Sequence, residues 1–86
     1  MPRLSEFYGI IIAMYFDDHP PPHFHAKYGD DQAQIVITTG EVLNGFLPRR
    51  ALALVCEWTE FHRNELMSDW QRAERHQPLV SIDPLP

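Results

Sequence analysis

Three of the five histidines in this chain stand within one stretch, Asp17-Asp18-His19-Pro20-Pro21-Pro22-His23-Phe24-His25, beside two carboxylates and a stiff proline run. Imidazole titrates near neutral pH and serves as acid, base or metal ligand. His23 and His25 are two residues apart, so on a strand both rings project from the same face, close enough to share a metal or a substrate phosphate. His19 or Asp18 could complete a set of three ligands across the proline elbow, and three protein ligands with one open position is the arrangement of a catalytic zinc site. The spacing matches no firm zinc signature, however. The reading without metal or cofactor therefore stands first: His23 and His25 as proton-transfer or substrate-contact groups. The plain structural alternative is that the rings stack on Pro21, Pro22 and Tyr15 and bond to backbone in an awkward turn.

A second pair, Arg49 and Arg50, follows Leu47-Pro48 at the expected start of a helix, where the dipole favours anions and acidic side chains are the stabilising choice. Free helix N–H groups with two guanidinium forks make a phosphate site, which suits an RNA or a nucleotide. The alternative is pairing with Asp17, Asp18, Asp30 or Asp31 from the turns. His62 falls on the apolar stripe of the same helix near Trp58, Val55 and Leu66, the position of a satisfied core histidine. Cys56, the only cysteine, excludes an intramolecular disulfide and reads as a small core residue.

The elements that must position these groups are legible in the apolar periodicity. Phe7 to Phe16 reads as one central strand, with Ile10, Ile12, Met14 and Phe16 on one face and Ile11, Ala13 and Tyr15 on the other. His23 to Tyr28 alternates, with Phe24, Ala26 and Tyr28 inward and His23, His25 and Lys27 outward. Gly29-Asp30-Asp31 turns the chain into Gln32–Thr38, where Ala33, Ile35 and Ile37 face inward and Gln34, Val36 and Thr38 outward. Glu41–Phe46 is a short edge strand. From Pro48 to His76 nothing breaks a helix whose apolar side carries Leu47, Ala51, Leu54, Val55, Trp58, Phe61, His62, Leu66 and Trp70. Gln77-Pro78 ends it, and 77–86 is an extended tail or a short last strand.

These elements make an α+β fold, a small antiparallel sheet of three to four strands packed on one long C-terminal helix: a single domain over 1–86, with strands within 7–46, helix about 48–76 and tail 77–86. One helix covers one face. The other, carrying His23, His25, Lys27, Gln34 and Thr38, is either a working surface or is covered by a partner, a second copy included.

Eighty-six residues, 44% of them apolar, suit one hydrophobic core. No apolar run reaches the ~20 residues of a membrane span, and Met1-Pro2-Arg3-Leu4-Ser5 lacks the apolar stretch of a secretory signal, so no membrane contact and a cytoplasmic location are expected. A net charge of −5 argues against a bulk electrostatic grip on nucleic acid and leaves room only for a local basic site.

Asp18-His19, the string Pro21-Pro22-His23-Phe24-His25-Ala26, Leu47-Pro48-Arg49-Arg50, Glu57-Trp58 with His62, and Glu65-Leu66 with Trp70 together resemble the small bacterial proteins grouped as domain of unknown function 4160, over essentially the whole chain. The PPHFHA string is the specific part. The resemblance implies the toxin component of a toxin–antitoxin pair, with a small antitoxin-like protein as partner. Joined to the residues above, it gives the first expectation: action on RNA or a nucleotide, His23 and His25 at the reacting centre, Arg49 and Arg50 holding phosphate. Two rivals accompany it, a non-enzymatic interaction module whose open sheet face binds a partner protein, and a metal-binding protein using His19, His23 and His25. Whether the chain is an enzyme at all is left open by its residues.

Overall fold

The computed structural model of the chain describes residues 2–86; Met1, which opens the segment read for a leader, lies outside them. Five strands, β1 (Arg3–Phe7), β2 (Ile10–Ala13), β3 (His23–Tyr28), β4 (Asp31–Val36) and β5 (Val42–Gly45), form one antiparallel sheet in chain order, followed by helix α1 (Arg49–Glu74). The architecture is α+β, with five strands rather than three to four.

The extra strand comes from the apolar run expected to be one strand. Tyr8 and Gly9 both take positive φ, +49° and +79°, the conformation of a two-residue hairpin turn whose twist matches that of the flanking strands. The run therefore folds on itself, pairing Phe7 with Ile10 and Ser5 with Ile12, and strand structure begins at Arg3, before the expected 7. Ile10, Ile12 and Met14 still share the core face and are fully buried, whereas Phe16, past the end of β2, is exposed. In β3 and β4 the alternation holds: Phe24 pairs with Ile35 and Ala26 with Ala33 on the core side, and His25 pairs with Gln34 on the other.

Helix α1 lays Val55 and Trp58 into this core, with the Trp58 ring 5.4 Å from Phe7 and 5.8 Å from Phe24. Pro48 stands just outside its first turn, which has neither a side-chain cap nor an acidic residue. The helix is kinked at His62 (φ −123°, ψ 20°). One turn earlier the Thr59 hydroxyl donates to the Val55 carbonyl at 2.7 Å, a back-bond that competes with the helical ladder and bends helices. Phe61, assigned above to the apolar side, is exposed, because the buried stripe is narrower: Ala51, Val55, Trp58, then Leu66, Trp70 and Ala73.

The tail is extended rather than a strand, yet it is tied down. Val80 N–H donates to the buried carboxylate of Asp69, Ile82 N–H to the Leu4 carbonyl at 2.8 Å, and Trp58 Nε1–H to the Asp83 carbonyl. Ile82 is buried against β1, so the outer edge of that strand is covered, while every residue of β5 at the opposite edge is exposed. Among the described residues no helix is long and apolar enough to cross a membrane.

Candidate functional site

The loop between β2 and β3 doubles back so that Asp18 meets the start of β3. His23 and His25 lie two residues apart in that strand and both turn Nε2 to one oxygen, Asp18 Oδ2, at 3.0 and 2.9 Å. The three donor atoms all lie within 4.8 Å of one another. Asp18 Oδ1 is held separately by the backbone N–H of His19 at 2.9 Å, which fixes the carboxylate plane. Burial alone would push the Asp18 carboxyl up; the His25 hydrogen bond, the His19 N–H and the charges of both rings outweigh it and hold the group below its usual range.

The two histidines differ in access. His25 is partly open, and the Tyr15 ring meets it edge-on at 4.4 Å. His23, expected on an open face, is 2% exposed. Trp70, from the helix beyond the kink, packs at 5.4 Å from its ring and shuts it off from solvent, a contact that strand alternation does not register. His23 Nδ1 lies 2.7 Å from the Pro21 carbonyl, which can only accept, so Nδ1 carries a proton and Nε2 is the ring atom left to face Asp18. That Nε2 lies at ion-pair distance from Asp18 but without hydrogen-bond geometry, and is a buried polar atom with no hydrogen-bond partner.

His25 is also a wall of a shallow groove of about 300 Å³ on the sheet face away from the helix, lined by Tyr15, Gln32, Gln34, Asn44 and Gly45. The register explains the lining: Ala13, His25, Gln34 and Asn44 form one row across four strands, and Lys27 with Gln32 the next. Three carboxamides, each both donor and acceptor, thus stand beside the histidine cluster.

His19 is exposed and stays outside the cluster, so the three groups that converge across the elbow are Asp18, His23 and His25. Of the two residues that the spacing offers as the third member, His19 or Asp18, the loop brings in Asp18. Arg49 and Arg50 do not converge with the histidines. Both are exposed, and Arg50 lines a separate depression with Tyr8, Tyr28 and Leu54. Tyr28 ends β3 where His23 begins it, about 16 Å of strand apart at the usual rise, and lies on the helix side of the sheet. Among the described residues neither arginine forms an ion pair; Asp17 pairs with His76 instead. His62 bonds Glu65 at 2.6 Å and takes no part in the cluster.

No curated protein and no solved structure matched the chain. A family model did, over residues 9–71, a span that takes in the Asp18–His23–His25 cluster, both arginines and Trp70; the chain belongs to the family described as Domain of unknown function (DUF4160).

Proposed function

We propose that the protein acts on RNA or a nucleotide as the toxin component of a toxin–antitoxin pair, with the groove beside His25 as its working site. The observation that carries this reading is the convergence of His23 and His25 on one Asp18 oxygen at the margin of a polar groove. The carboxamides of Gln32, Gln34 and Asn44 suit the donor and acceptor edges of a nucleobase, and Lys27 in the neighbouring row suits a phosphate. Phosphodiester cleavage by two exposed imidazoles, one as base and one as acid, does not fit, because His23 is sealed behind Trp70. The reaction instead runs at His25, with Asp18 and His23 behind it as the groups that orient and charge the centre. Arg49 and Arg50 drop out of that centre and remain a separate anion contact.

The test is growth inhibition on induced expression, together with cleavage of total RNA by purified protein. His25→Ala and Asp18→Asn should each abolish both while circular dichroism stays native. Inhibition that persists in both variants overturns the reading.

One observation favours the rival interaction module. Val42, Leu43 and Phe46 are exposed along β5, the sheet edge that the tail leaves uncovered. A partner protein adding a strand there would pair its backbone with β5 and bury those side chains. Under this reading Leu43→Lys with Phe46→Asp breaks the complex with an antitoxin-like small partner protein in calorimetric titration, and His25→Ala does not.

A further inference from the structure

We propose that Asp18 Oδ2, His23 Nε2 and His25 Nε2 form a binding site for one divalent transition-metal cation, of the class to which Zn2+ belongs. The argument begins with the unpartnered atom. His23 spends its Nδ1 proton on the Pro21 carbonyl, and its buried Nε2, which has no hydrogen-bond partner, faces a carboxylate oxygen 3.0 Å away. A proton on Nε2 would lack hydrogen-bond geometry to that oxygen, and without one the Nε2 lone pair and the carboxylate repel unless a positive centre lies between or beside them.

A cation meets that need, and three further features fit it. Metal–nitrogen and metal–oxygen bonds of about 2.0–2.1 Å place neighbouring ligand atoms about 2.9–3.4 Å apart; the two nitrogens stand 3.0 and 2.9 Å from the shared oxygen, and all three atoms lie within 4.8 Å of one another, so the rings would close on a bound cation by a side-chain adjustment. The bond from His23 Nδ1 to a backbone carbonyl is the outer support that ligating histidines usually have, and it leaves Nε2 as the free donor. Two imidazoles and one carboxylate select transition metals over Mg2+ or Ca2+, which take oxygen ligands, and three protein ligands leave coordination positions open. His25 Nε2, hydrogen-bonded to Asp18 Oδ2 at 2.9 Å in the metal-free chain, would release its proton on metal binding and ligate in its place, the ring keeping the proton on Nδ1.

The inference rests on the proposed function for the role of the cation, but not for its existence. His25 is the wall common to the cluster and the groove, so a water or phosphate oxygen on the cation would lie beside Gln34 and Asn44. In a chain of net charge −5, a dication against one carboxylate would make this the locally positive spot that an anionic ligand requires.

The experiment is isothermal titration of the full, tag-free chain, stripped of metal, with ZnCl2, followed by Co2+ and its visible absorption. One Zn2+ per chain should bind. Asp18→Asn and His25→Ala, both at partly exposed side chains, should weaken binding about a hundredfold or more and abolish the Co2+ bands; His19→Ala should change neither. Circular dichroism of each variant guards against misfolding, and His23, being buried, is not needed to decide the matter. A folded chain with no saturable Zn2+ binding overturns the proposal, as does undiminished binding in Asp18→Asn or dependence on His19. The RNA arm separates the two ideas. Stoichiometric Zn2+ with no effect on RNA supports the site and sinks the RNA reading, whereas RNA cleavage that survives EDTA in a chain that binds no Zn2+ does the reverse.

Discussion

Gly45→Ala tests whether the floor of the groove is built as described. Gly45 closes β5 opposite Ala33 with φ +88°, and a methyl group placed on it would come 2.3 Å from the Gln32 carbonyl oxygen and 2.9 Å from Ala33 Cα. Both are backbone atoms, so no side-chain rotation relieves the contact; one strand must move. The positive φ costs an L-residue about 1–2 kcal/mol. Displacing Gln32 also loosens the hydrogen bond that its carbonyl accepts from Phe46 N–H at 3.0 Å, worth about 1 kcal/mol. The sum is about 2–3 kcal/mol, and in a domain of this size each kcal/mol moves the Tm by about 4–8 °C, so a fall of about 10–20 °C is expected. A second route exists in which β5 detaches locally while the remaining strands stay folded. Thermal circular dichroism reads the first and amide exchange at Asn44 and Phe46 the second. If the variant melts within about 2 °C of the parent and keeps its β5 protection, the account of this strand pair is wrong.

Asp69→Ala removes a carboxylate that is 1% exposed and accepts from Val80 N–H at 2.9 Å and from Arg72, leaving a partly buried donor unpaired; a loss of about 2–4 kcal/mol and faster proteolysis within 77–86 should follow, read by urea melts and mass spectrometry of early fragments. Trp58→Ala empties the centre of the core and should cost about 3–5 kcal/mol, whereas Phe61→Ser, at a side chain 69% exposed, should leave the urea midpoint nearly unchanged. Equal effects from the two would refute the placement of the helix stripe. Burial, and after it the Glu60 charge, pushes the Cys56 thiol up, so less thiolate is present at any given pH than on a free cysteine. Iodoacetamide should therefore label the folded chain slowly at pH 8, faster as the pH rises beyond 9, and at the rate of a free thiol once urea unfolds it.

Periodicity carried much of this fold. The alternation of Phe24, Ala26, Ala33 and Ile35 set the core face of the central hairpin, and the unbroken run after Pro48 set one long helix, because local sterics and face-by-face burial act over a few residues and leave a repeating mark. The same rule placed His23 and His25 on one side of β3. It failed at Tyr8-Gly9, where a two-residue turn sits inside an apolar run and only the positive φ values distinguish it from continuing strand. It also failed wherever a contact joins distant elements. Trp70 seals His23 from beyond a kink at His62; the choice of Asp18 over His19 is made by the loop; and Arg50, two dozen residues along, ends up beside Tyr28 instead of the cluster. Residue types and spacing determined that a histidine pair would share a strand face. Only the packing of helix and loop against that strand decided that one ring would be buried with an unpartnered nitrogen, that a carboxylate would face it, and that the arginines would stand elsewhere, since those outcomes depend on where separate elements come to rest in three dimensions.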